Sequence, residues 1–240
     1  MAKKNERDNR RAIAEQMRKE QQRKERRRSL LILGGCVVLV VGLLTAALVP
    51  YIKNQRAESK AAGTPISDLG VSTTAAKCEP VKKVDASGNG THITIGKAIK
   101  YAQSPPSYGP HWANFLQGSE IRNFYTTQDR PEIERMVHSL EHGHTILWYD
   151  AETVKPGTKD YKLVKAISAK FDADAYFMAA PWSTSDGGAF PAGEHIALTH
   201  WTGPQKQLGV TQFCAAPSGA VVKKFTDTYQ PDNAPEPGAA

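Results

Sequence analysis

Between residues 138 and 148 the chain reads His-Ser-Leu-Glu-His-Gly-His-Thr-Ile-Leu-Trp, so three of its seven histidines and a carboxylate fall in one turn ahead of an apolar run. Neutral imidazole is the commonest protein ligand for Zn, Cu, Ni and Fe, and a neighbouring carboxylate adds an oxygen donor. Spacing constrains the geometry. On a helix, His138 and His142 lie one turn apart on the same face; if the residues beyond Gly143 form a strand, His142 and His144 share a sheet face instead. Upstream, Pro105-Pro106 and Gly109-Pro110 bracket His111 in a stiff loop, because proline fixes φ and biases the preceding residue toward extended geometry. Joined with His138 and His142, His111 makes a set of three nitrogens, and Glu141 either completes a tetrahedron or orients one imidazole from behind. Such a site suits copper or zinc. The competing reading is that these histidines hydrogen-bond backbone carbonyls and serve packing alone.

Other residues bear on the same chemistry. His144 is a possible additional ligand, and Met178, like Met136, offers a soft sulfur for Cu(I), although the apolar run Tyr176-Phe177-Met178-Ala179 reads more simply as core. His195 and His200 read as histidines with ordinary hydrogen bonds, and His92, in the alternating segment His92-Ile93-Thr94-Ile95, reads as a structural strand residue. His138-Ser139-Leu140-Glu141-His142 also fits the His-x-x-Glu-His pattern of inverted zincin peptidases, with Glu194 as a conceivable further ligand. That motif needs a helix continuing past the second histidine, whereas Gly143 and the strand-like residues after it end one. Trp182 to Gly188 has loop composition, suited to lying over a site or merely connecting two elements. The chain has no glycine-rich phosphate loop, nucleophile elbow or Cys-x-x-Cys, which argues against nucleotide hydrolysis and thiol exchange. A binding domain is favoured over an enzyme.

The elements that must position these residues divide the chain into five parts. Residues 1–29 form a basic tail with twelve Lys/Arg against five Asp/Glu. Residues 30–52 are an uncharged apolar run, long enough to cross a hydrocarbon layer of about 30 Å as a retained transmembrane helix. The positive-inside rule then keeps the N-terminus cytoplasmic and sends the rest out across the plasma membrane, with the basic tail attracted to anionic membrane lipid. Beyond Ser29, 19 basic residues balance 19 acidic ones, so the net charge of +7 belongs to the tail and gives no reason to expect nucleic acid as a partner. Residues 53–76, rich in Ala, Ser, Thr, Gly and Lys, read as a flexible tether, and 230–240, rich in proline, as a disordered tail. Between them, residues 77–229 are long enough for one globular domain. Strands are expected at 92–95, 145–149, 175–178 and 196–201, and helices at 131–140 and 221–229, which makes a mixed α+β domain. Cys36 lies within the apolar run, and an oxidising compartment would let Cys78 and Cys214 pair.

The motifs Ser104-Pro105-Pro106-Ser107-Tyr108-Gly109-Pro110-His111 and Val137-His138-Ser139-Leu140-Glu141-His142-Gly143 resemble the paired PPxxGPH and VHxLEHG signatures of domain of unknown function 3105. The resemblance covers roughly Cys78 to Tyr229. It implies an exported domain behind a membrane anchor, with Pro105, Pro106, Gly109, His111, His138, Glu141, His142 and Gly143 as motif residues, and it implies no activity. His144 and His200 fall where the family more often has apolar or small residues. The function expected is therefore a membrane-anchored, extracytoplasmic metal-binding domain or, alternatively, an interaction module for an unidentified cell-envelope protein.

Overall fold

Ile146 and Trp148 point one way from their strand and Leu147 and Tyr149 the other, and all four are buried, so this strand lies inside a sheet covered on both faces. The protein, described by a computed structural model, is defined over residues 2–172, 175–203 and 205–238, without the side chains of residues 2–9 and 12. The side chains of Lys3, Lys4 and Arg7 of the basic tail, and Ala239 and Ala240 of the C-terminal tail, therefore lie outside the described set. The chain divides into two units, residues 1–58 and 59–240. The first consists of most of α1 (Ala2–Gly63), which contains one stretch long and apolar enough to cross a membrane, with Leu30, Leu31, Val38 and Leu43 all exposed.

Among the described residues, the second unit is built on seven strands: β1 (Lys82–Asp85), β2 (His92–Ile93), β3 (His111–Trp112), β4 (Thr145–Asp150), β5 (Phe177–Trp182), β6 (Ile196–Thr202) and β7 (Leu208–Cys214). Five of them form a mixed sheet in the order β1-β7-β6-β4-β5, antiparallel except for the β4–β5 pair. A parallel neighbour requires a crossover, and α3 (Lys159–Ser168) supplies it. Helix α2 (Ile133–Glu141) precedes β4, and α4 (Gly219–Thr228) follows β7. On one face Leu147, Leu198 and Val210 pack with Val164 and Ile167 of α3 and Val221 and Phe225 of α4. On the other, Ile146, Trp148, Met178 and Trp201 pack with Met136, Val137 and Leu140 of α2. The expected α+β class holds, and four expected strands and two expected helices are present with boundaries shifted by a few residues. The sequence reading passed over β1, β7 and α3, and it read β3 as part of a stiff loop.

Two segments differ more sharply from expectation. Residues 53–76, read as a flexible tether, are helical to Gly63 and then dock: Leu69 and Ala76 are buried, Val71 N donates to Pro217 O, and Gly219 N donates to Leu69 O. Few apolar residues suffice when the backbone groups around them find partners on a preformed edge. Residues 230–238, read as disordered, form a 3₁₀ turn at Pro231–Asn233 and bury Ala234, with Gly203 N donating to Asn233 O. Proline lowers the entropy lost on ordering, so a Pro-rich segment with somewhere to dock need not be disordered. The 182–188 loop is likewise held, by a bidentate pair between Arg130 and Asp186. Cys78, just before β1, is bonded to Cys214 at the end of β7, across a separation of 136 residues.

Candidate metal centre

Helix α2 carries His138, Glu141 and, at its cap, His142. Its apolar residues Met136, Val137 and Leu140 fix its inward face against the sheet. The helix ends in a Schellman arrangement: Gly143, at φ +104°, lets its own N–H reach Leu140 O and the N–H of His144 reach Ser139 O. The peptidase reading falls here, because the helix that would have to continue stops at Glu141.

The second contribution comes from β2 and β3, a short parallel pair in which His92 lies opposite His111. His111 N donates to Thr91 O, and Tyr101 Oη donates to Pro110 O, so the proline-bracketed loop is pinned where it enters β3. These pieces bring four side chains together. One ligand atom from each of His92, His111, His138 and Glu141 lies within 4.8 Å of all the others. The His111 and His138 rings are 4.4 Å apart, and His92 is 4.9 Å and 4.8 Å from them. His111 Nε2 approaches Glu141 Oε2 to 2.9 Å, and His92 Nε2 approaches the same oxygen to 3.9 Å.

Backbone carbonyls set the chemistry of the rings. His111 Nδ1 lies 2.9 Å from Gly109 O, His138 Nδ1 2.7 Å from Trp112 O, and His142 Nδ1 2.9 Å from Glu236 O. A carbonyl only accepts, so each Nδ1 carries the proton, and in the neutral ring Nε2 is left as a bare lone pair. His111 Nε2, His142 Nε2 and Glu141 Oε2 are all buried without a hydrogen bond. Burial, with the neighbouring His111 and His142, lowers the His138 pKa to about 4, which keeps its ring neutral at ordinary pH. At Glu141 burial works against ionisation, but the His111 contact and the surrounding imidazoles outweigh it and hold the carboxyl below its usual range. The result is a group of three nitrogens and one carboxylate oxygen, mutually within 4.8 Å, that could hold a metal ion.

His111, His138 and Glu141 are thus joined as expected, with His92 as the further donor, a residue read from sequence as structural. His142 is adjacent, its ring 4.7 Å from that of His138, but it is not one of the four. The possible additional members lie elsewhere. His144 turns its Nδ1 to Ser139 O and its ring toward Tyr176, and Met178 is wholly buried in the sheet core. His200 Nδ1 sits 3.2 Å from both His144 O and Thr145 Oγ1. His195 pairs with Asp150 at 3.0 Å, and Glu194 feels Glu79 and Lys82, not the four donors. Nothing local in the sequence announced the pairing of His92 with His111, which lies on a strand of two residues.

Residues 92–240 match a family described as a protein of unknown function, DUF3105. Residues 8–62, almost all of α1, are similar to an inhibitor of host cell division protein domain. No curated protein matches the chain. No solved structure matches it either.

Proposed function

The chain belongs to the DUF3105 family of proteins of unknown function, and from its own residues we propose that it is a membrane-anchored extracytoplasmic domain that binds copper or zinc through His92, His111, His138 and Glu141. One observation carries the reading: the buried His111 Nε2 and Glu141 Oε2 stand 2.9 Å apart in a group where one ligand atom from each of His92, His111, His138 and Glu141 lies within 4.8 Å of the others. With the Nδ1 proton of the neutral His111 ring committed to Gly109 O, Nε2 turns a lone pair toward the carboxylate, and a shared cation, a metal ion or a second ring proton, satisfies both atoms. The long apolar stretch supports an anchor, the basic residues before it support a cytoplasmic N-terminus, and the Cys78–Cys214 bond supports an oxidising compartment for the domain. Membrane lipid is then one partner, and an envelope protein is a further one of unassigned identity.

A second reading, an envelope interaction module with structural histidines, draws on the carbonyl partner that each of His111, His138 and His142 already has. Elemental analysis separates the two. The full-length chain, purified in detergent without a histidine tag and dialysed after exposure to Zn²⁺ or Cu²⁺, should retain one ion per chain. His111→Ala and His138→Ala should retain none. A metal-free wild type whose melting temperature is unmoved by either ion would leave the interaction module as the surviving reading.

A further inference from the structure

Three of the four donors are locked and one is not. His111 and His138 each anchor Nδ1 on a carbonyl, and Glu141 is walled in by the Gly90 backbone and Trp201; all three side chains are buried. His92 differs in each respect. Its side chain is 49% exposed, it sits on a two-residue strand paired only with β3, and among the described residues no hydrogen bond reaches its ring. Ligating histidines are ordinarily oriented by a partner on the other ring nitrogen, which fixes the tautomer and the ring plane. The His92 ring is set only by the β2–β3 pairing and its contacts with the other members of the group, and it is the exposed member of the four.

We propose that His92 is a displaceable ligand marking the edge by which the ion enters and leaves, so that the site exchanges its metal with an incoming nitrogen or sulfur donor instead of keeping a permanent structural ion. This rests on the metal-binding reading above. In the exchange the incoming donor forms a bond to the ion as the His92 Nε2 bond breaks, the His111, His138 and Glu141 bonds follow, and no electrons are transferred. The three locked donors set how firmly the ion is held, and His92 sets how readily it is passed on. Closed structural zinc sites bury all four ligands, whereas sites that must admit another ligand keep one position accessible.

The test is zinc transfer from the loaded full-length chain in detergent to the chromogenic chelator 4-(2-pyridylazo)resorcinol. The transfer rate should rise with chelator concentration, as it must if the chelator attacks the bound ion. His92→Ala should still take up one Zn²⁺ per chain but release it faster by about 10- to 100-fold, whereas His138→Ala should take up none. His92→Asn, which keeps a polar side chain on β2, should behave like His92→Ala, with circular dichroism confirming the fold of both. A rate independent of chelator concentration, unaltered release in both His92 variants, or loss of stoichiometric zinc in them as complete as in His138→Ala would each overturn the proposal. Failure of the wild type to bind zinc at all would instead overturn the metal reading on which it rests.

Discussion

Glu141 shows how closely one residue of this site depends on another that carries no functional group. A methyl group built on Gly90 would collide with Glu141 Oε1, the oxygen facing away from His111, and would also meet Trp201. Gly90 is not in the left-handed region, so Gly90→Ala strains no backbone, and its effect falls on the carboxylate. The expected outcome is a loss of zinc affinity of about 10- to 100-fold in a titration, with a melting temperature for the metal-free protein close to that of the wild type. An unchanged affinity would mean that the orientation of Glu141 does not matter to the ion. At this scale the sequence was partly legible. His111, His138 and Glu141 could be picked out because imidazoles, a carboxylate and stiffening prolines lie close together in the chain. His92 could not, because its partner across the β2–β3 pair is 19 positions away and a strand pairing that short leaves no periodic trace.

At the level of elements, the C-terminal segment matters most. Glu236 grips the end of α2 twice: its N–H donates to Glu141 O and its carbonyl accepts from His142 Nδ1. Pro231 packs so closely on Gly143 that a side chain there would meet its carbonyl oxygen at 2.7 Å, and Ala234 is fully buried. A chain stopped after Gln230 should therefore have a lower melting temperature and bind zinc about tenfold or more weakly, as follows when groups that orient ligands are removed. Differential scanning calorimetry and a zinc titration measure the two effects; wild-type values in both would show the segment to be dispensable. Composition misled here, since Pro, Asp, Asn and Gly mark disorder only in a segment without a docking surface, and the surface for this one is made by α2 and β6 far upstream. The end of α2 was read correctly, because Gly143 follows the last turn of a strongly amphipathic stretch and a positive φ suits glycine. Helix α3 was missed although Thr158 caps it, accepting from Tyr161 N at 3.2 Å, and although Val164 and Ile167 are spaced to share one face.

For the whole molecule, the proposed topology, a chain that crosses a membrane and folds outside it, would account for both the apolar stretch of α1 and the Cys78–Cys214 bond. In right-side-out membrane vesicles, a membrane-impermeant maleimide should leave both cysteines unmodified until an impermeant reductant is added, and then label them. Labelling without reduction, or labelling confined to inverted vesicles, would contradict that topology. The sheet buries a continuous apolar layer on each face, and the site lies where α2, β2 and β3 meet, with Trp201 of the sheet against His111. That mounting gives the central claim its most direct test, X-ray absorption at the zinc edge of the zinc-loaded full-length protein. The account predicts about four nitrogen or oxygen neighbours at roughly 2.0 to 2.1 Å, with the multiple-scattering signature of imidazole rings that weakens in His111→Ala and His138→Ala. A spectrum showing only water-like oxygen neighbours, or sulfur at about 2.3 Å, would contradict it.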